Sequence, residues 1–173
     1  MVVTHKITCN NGVYRCDDVD ITVEEWCRAL YSIPNNTFKY LMMLFHMPNH
    51  ECTCNAAGEK YGVHSSTFIA PVTSIAKKAM DIASRFDVVA YDNNADKRYW
   101  IVPMQEGYST KNGFVWKMRD ELVEAIRSVL LDKLIVFYKK LHKKEPFGGY
   151  AERYKWQLVH DCKGKNPIEI IDL

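Results

Sequence analysis

The sequence predicts an α+β protein, mostly helical, with a winged helix-turn-helix core, an N-terminal β-hairpin and a long C-terminal helix. Three observations carry this. First, a short capped segment, Cys54 to Tyr61, ends at Gly62 and leads into a second capped, apolar-periodic segment. Helix, glycine turn, capped helix is the shape of a helix-turn-helix. Second, two β-prone runs follow, Phe86 to Tyr91 and Arg98 to Met104, as a wing would. Third, 47% hydrophobic and 25% charged residues over 173 positions suit a chain that buries its own core.

The elements follow in order. Thr4 to Cys9 and Val13 to Cys16 flank Asn10-Asn11-Gly12, and Asn-Gly supplies the positive φ angles of a tight hairpin. That pairing would set Cys9 and Cys16 across from one another. Thr22 with Glu25 three residues on is a capping box, and Val23 to Ser32 reads as a helix with Trp26, Ala29 and Leu30 buried. Pro34-Asn35-Asn36 interrupts it. Thr37 to Phe45 is a second, strongly apolar helix that Pro48-Asn49 stops. Thr53 caps the segment 54–61, Gly62 takes the left-handed position at its end, and Val63 packs the turn. Ser65 or Ser66 caps a third helix toward Ser84. Its apolar stripe is Phe68, Ile69, Val72, Ile75, Ala76, Ala79, Met80 and Ala83. Pro71 fits a start near Ala70, and would kink a helix that starts at Ser66.

The wing is expected over 86–104, with a polar tip at Asp92-Asn-Asn-Ala-Asp-Lys97. Gly107 to Gly113 reads as a loop and Phe114 to Lys117 as a third strand. Arg119-Asp120-Glu121 opens a long helix to about Lys144, with Leu122, Ile126 and Val129 on its apolar face. Pro146-Phe-Gly-Gly149 is a hinge. The expected organisation is therefore a winged-helix-like domain with its hairpin over 1–145, then a short helical appendage, or the start of a further region, over 146–173.

Composition excludes several classes. The apolar runs are far too short to span a bilayer. The opening Met1-Val-Val-Thr-His-Lys6 lacks an apolar signal core, so a cytoplasmic location with reduced thiols is expected. Net charge is +2. Residues 133–165 hold nine Lys/Arg against three Asp/Glu. Such a stretch suits nucleic-acid contact or, more plainly, a solvated helix face and linker.

No catalytic signature is present: no Gly-x-Ser-x-Gly, no His-Glu-x-x-His, no dinucleotide fingerprint and no phosphate-cradling Gly-Lys-Ser/Thr loop. His46, His50, Cys52 and Cys54 contain ligand types for zinc but lack its paired CxxC spacing; capping and packing explain them more simply. Asp17, Asp18, Asp20, Glu24 and Glu25 contain ligand types for Mg²⁺, yet acids at a helix start also satisfy its N–H groups. No metal and no cofactor are expected. Trp100, Trp116, Trp156, Tyr99 and Tyr108 could cage an extruded base, although aromatics on strands mostly pack a core.

Duplex binding needs a helix for the groove, polar groups at its front and cations for phosphates. Ser65, Ser66 and Thr67 lie at the front of the third helix, beside His64. Thr73, Lys77 and Lys78 continue its exposed face. Asn93, Asn94, Lys97 and Arg98 belong to the expected wing tip, and Lys111 adds a phosphate contact from the next loop.

Several phrases resemble the region at the front of bacterial modification-dependent restriction endonucleases, where it precedes an HNH nuclease or a McrB-like motor. They are Ile21-Thr-Val-Glu-Glu-Trp26, Glu59-Lys-Tyr-Gly-Val63, Lys97-Arg-Tyr-Trp-Ile101 with Pro103, and Phe114-Val-Trp-Lys-Met-Arg-Asp-Glu-Leu122. Tyr154-Lys-Trp-Gln-Leu158 is similar to a segment that follows a linker in such proteins. The resemblance covers roughly residues 20–127 and, loosely, 150–173. It implies a non-catalytic accessory module of a restriction or other defence system, bacterial or phage. Its partner would be double-stranded DNA, with or without modified bases, and a nuclease or motor subunit. The first alternative is a protein-interaction module that docks such a subunit, and the second is a small enzyme whose site carries no recognisable signature. The HNH cluster and nucleotide loop of those larger proteins are missing from this sequence.

Overall fold

In the computed structural model, which describes residues 1–90 and 99–129, strands β1 (Val3–Lys6) and β2 (Thr8–Asn10) are separated only by Ile7, which is buried. Asn11 and Gly12 then take φ of 51° and 77°. That is the geometry a two-residue hairpin turn requires, and β3 (Val13–Arg15) returns antiparallel to β2. The expected hairpin is thus present but shorter than 4–16. Its register sets Cys9 opposite Tyr14, not Cys16.

The capping box forms as the sequence predicts. The Thr22 hydroxyl accepts from the Glu25 N–H, the Glu25 carboxylate accepts from the Thr22 N–H, and α1 (Val23–Ser32) buries Trp26, Ala29 and Leu30. Helix α2 (Asn35–Phe45) starts just after Pro34 and fills the core with Phe38, Leu41, Met42 and Phe45. A single turn, Pro48–His50, leads into β4 (Glu51–Thr53). This strand is too short to announce itself by alternation, and the sequence reading missed it.

Helix α3 (Cys54–Tyr61) is capped by the Thr53 hydroxyl and ends at left-handed Gly62. The next helix begins as a 3₁₀ turn, Ser65–Phe68, and becomes α4 (Ile69–Ala83). Pro71 is the third residue of α4, where its missing N–H costs no helical bond. Ser84 closes α4 with φ 50°.

Here the structure departs from expectation. β5 (Phe86–Val89) pairs in parallel with β1, Val3 opposite Phe86 and Lys6 opposite Val89. It does not pair with residues 99–104. Tyr99–Ile101 is a 3₁₀ turn, and the following strand, β6 (Met104–Thr110), occupies most of the expected 107–113 loop. β6 pairs with β7 (Gly113–Met118), and the second sheet runs β2-β3-β6-β7-β4, antiparallel throughout. Tight steric conditions make Gly107 necessary in β6: a Cβ there would lie 2.6 Å from ring atoms of Trp100 and Phe114.

A helix, α5, opens at residue 120 and continues to 129; the rest of the stretch expected to be helical, to about Lys144, lies outside the described residues. It buries Leu122, Ala125 and Ile126. The chain divides into two units, residues 1–126 and 127–173. Every element from β1 to β7 belongs to the first. The expected 145/146 boundary lies outside the described residues. The observed class is mixed α and β. No helix among the described residues is long and apolar enough to cross a membrane.

Candidate nucleic-acid interface

The turn between α3 and α4 is built by two glycines with different tasks. Gly62 takes φ 66°, which lets the chain reverse without a Cβ clash. Gly58 sits inside α3, buried, and its carbonyl accepts from the Val63 N–H at 3.0 Å. A Cβ on Gly58 would stand 2.6 Å from the Val63 carbonyl oxygen. The turn therefore closes against bare backbone.

His64 follows as cap of the 3₁₀ turn. Its Nδ1 accepts from the Ser66 N–H at 3.2 Å, and the Ser66 Oγ lies 2.7 Å from the same nitrogen. Since a backbone N–H can only donate, Nδ1 carries a lone pair, and the Ser66 hydroxyl donates to it. Phe68 then anchors the helix start, fully buried and edge-on to Tyr40 at 6.0 Å.

Along α4 the exposed positions are Ile69, Ala70, Lys77 and Asp81, with Thr73, Ser74 and Lys78 half-buried. Ser66 is exposed just ahead of them, whereas Ser65 and Thr67 are half-buried. Ile69 was expected on the apolar core stripe; instead it is 56% exposed. Phe68, Val72, Ile75, Ala76, Ala79 and Ala83 take the core side at helical spacing, and Ile69, one residue round from Phe68, falls at the edge of that stripe. Lys77 holds its ammonium 4.9 Å from the Tyr99 ring centroid, a cation–π contact that limits its reach.

Lys111 and Asn112 form the exposed tip of the β6–β7 hairpin. The tip is fixed by the Thr110 hydroxyl, which donates to the Gly113 carbonyl at 2.9 Å and accepts from the Asn112 N–H at 3.2 Å. Gly113 takes φ 118°. Asn93, Asn94, Lys97 and Arg98 lie outside the described residues.

Other clusters resolve differently. Asp20 and Glu25 are both bound by Arg85, whose Nε is 3.0 Å from Asp20 and whose Nη1 is 2.6 Å from Glu25. The Arg85 hydrogen bond holds the Glu25 carboxyl down at about 2. Burial pushes the Cys52 thiol up to about 12 and Cys54 to about 11, which disfavours the thiolate a metal needs. His50 stacks on Phe45 and donates from Nδ1 to its carbonyl. Among the described residues no group of three or more His, Cys, Asp or Glu is placed to hold a metal. The aromatics do not converge on one cage. Trp100 packs edge-on to Phe114 at 5.2 Å and beside Tyr14, Tyr99 lies under Lys77, Tyr108 donates to Glu51, and Trp116 stands opposite Gly107. Trp156 lies outside the described residues.

One face of the large sheet carries a cross-strand row Arg15, Glu106, Lys117, Glu51. Its signs alternate, and Arg15 is ion-paired to Glu106. Such a row is self-neutralised and offers no cationic track for phosphates.

The chain is a mixed α/β protein in which His64, Ser66 and Lys77 on one helix and its leading turn, and Lys111 at a hairpin tip, are exposed on one unit. No family model, no curated protein and no solved structure matches the chain.

Proposed function

We propose that residues 35–118 form a winged helix-turn-helix that binds duplex DNA without catalysing a reaction. The observation that carries this is connectivity. Helix α2, strand β4, helices α3 and α4, then the hairpin β6–β7 follow in chain order, and the strands lie side by side as β4-β7-β6. A three-helix unit whose first short strand pairs with the second arm of a later hairpin is the winged-helix arrangement. In it the wing is the β6–β7 hairpin tipped by Lys111, not residues 86–104, and the segment containing β5 is an insertion. Helix α4 is the groove-entering helix, with Ser66 and Thr73 toward base edges and Lys77 toward phosphate. Asn93, Asn94, Lys97 and Arg98 would then belong to the insertion. The resemblance in residues 20–127 supports a place beside a nuclease or motor in a restriction or other defence system.

A salt titration of duplex binding tests this. Replacing Lys77 and Lys111 by Ala should weaken binding alike across sequences and reduce the log–log salt slope by about two. An unchanged slope would remove both residues from the interface.

The self-neutralised sheet face favours a second reading, a module that docks a nuclease or motor subunit. In that case the double variant binds its protein partner as the parent does and neither binds duplex.

A further inference from the structure

We infer that the leading stripe of α4 reads a thymine·adenine pair through the C5-methyl group of thymine, with Ile69 as the methyl contact and Ser66 as the acceptor for adenine. This rests on the duplex-binding role proposed above and adds what the helix recognises. Ile69, Ala70 and Thr73 share one stripe of α4, and Ser66 stands three residues before Ile69 in the leading 3₁₀ turn, where i and i+3 fall in line. None is charged, and the first cation on this side of the helix is Lys77.

Ile69 is 56% exposed between the fully buried Phe68 and the buried Pro71 and Val72. Its backbone is therefore pinned while its side chain projects outward. In the major groove the apolar feature presented by a base edge is the C5-methyl of thymine. Ser66 supplies the polar half. Its hydroxyl proton is directed to His64 Nδ1, 2.7 Å away, so its oxygen offers lone pairs outward. Adenine presents an N6 amino donor in the same groove, on the far side of thymine O4 from the methyl of its pair. A donor-only or cationic side chain would favour guanine instead. Protein hot spots are built mainly from Trp, Tyr and Arg, and the stripe contains none of them. That argues for a base edge over a protein pocket as its occupant.

Uracil differs from thymine only by the methyl, which gives a direct test. The tightest duplex selected by the full chain from a random-sequence pool is resynthesised with uracil for thymine. Affinity should fall about fourfold for each methyl contacted. Ile69→Ala should erase most of that difference while binding the uracil duplex as the parent does; its unfolding midpoint, nearly unchanged because the side chain is exposed, shows that it folds. The Ile69→Ala arm separates a methyl contact from any difference in duplex shape. Equal affinity for the two duplexes, or a difference that survives Ile69→Ala, overturns the inference and leaves duplex binding standing. Failure to select any duplex overturns the binding role itself, and this inference with it.

Discussion

Arg119 is only 7% exposed and spends its guanidinium on backbone. Nε donates to the Val102 carbonyl at 2.7 Å, and Nη2 donates to Cys16 at 2.8 Å and Ile101 at 3.1 Å. Burial lowers its pKa from the ordinary value, but an arginine stays charged well above neutral pH. Replacing it by Met strips three carbonyls of their donor. With each unsatisfied buried group costing roughly 1–3 kcal/mol, the loss should be about 3 kcal/mol or more. Urea unfolding measures it, and Arg119→Lys should recover only part, since an ammonium lacks the planar fork. Glu25 gives a pH signature. Its folded value, about 2, lies below the ordinary 4.5, so the Arg85 pair contributes stability above about pH 4.5 that is lost as pH falls toward 2. The contribution is modest, because Arg85 is 37% exposed. The urea midpoint of the parent should decline through that window, and Glu25→Gln should flatten the decline. Nothing in the sequence marked Arg119 as buried or Arg85 as the partner of Glu25: both act across long stretches of chain, and a single sequence displays only short-range spacing.

Elements with signals inside four residues were the legible ones. The Thr22–Glu25 box, the Thr53 cap, Gly62 and the Asn11-Gly12 turn each state their geometry locally, and each forms as read. The hairpin partner of 86–91 was misread because proximity in sequence is the default guide to strand pairing. The true partner is β1, and its Val3 lies 83 positions before Phe86. The turn between α3 and α4 can be tested on its two glycines. Gly62→Ala places a Cβ on a left-handed residue with open space around it, and should cost about 1 kcal/mol. Gly58→Ala drives a methyl against the Val63 carbonyl and should cost more, about 1–3 kcal/mol, because backbone must move. Thermal melts of the two variants give the order. A larger loss for Gly62→Ala would mean that the turn tolerates spreading at Gly58.

At the scale of the molecule, the first sixteen residues enter both sheets. β1 lies beside β5, β3 lies beside β6, and the Cys16 carbonyl receives Arg119. Deleting residues 1–16 should therefore uncover Phe86 and Val88, free an edge of β6, and abolish cooperative unfolding, as followed by circular dichroism and size-exclusion chromatography. The sequence reading includes this segment in the domain as a self-contained hairpin and assigns it no partner strand. Its two parallel and antiparallel attachments depend on residues that no local pattern connects to it.

The same segment sets a timetable for synthesis. A ribosome adding about 5–20 residues per second completes Val3 several seconds before Phe86 exists to receive it. Until then β1 is a nascent, β-prone ribbon with no docking site, and Met1, Val2 and Val3 remain exposed even after it docks. The helices α1 to α4 emerge in that interval and can collapse on one another first. β1 is thus seated only after the four helices between it and its partner have been made, and before the strands β6 and β7 that follow β5 in the chain.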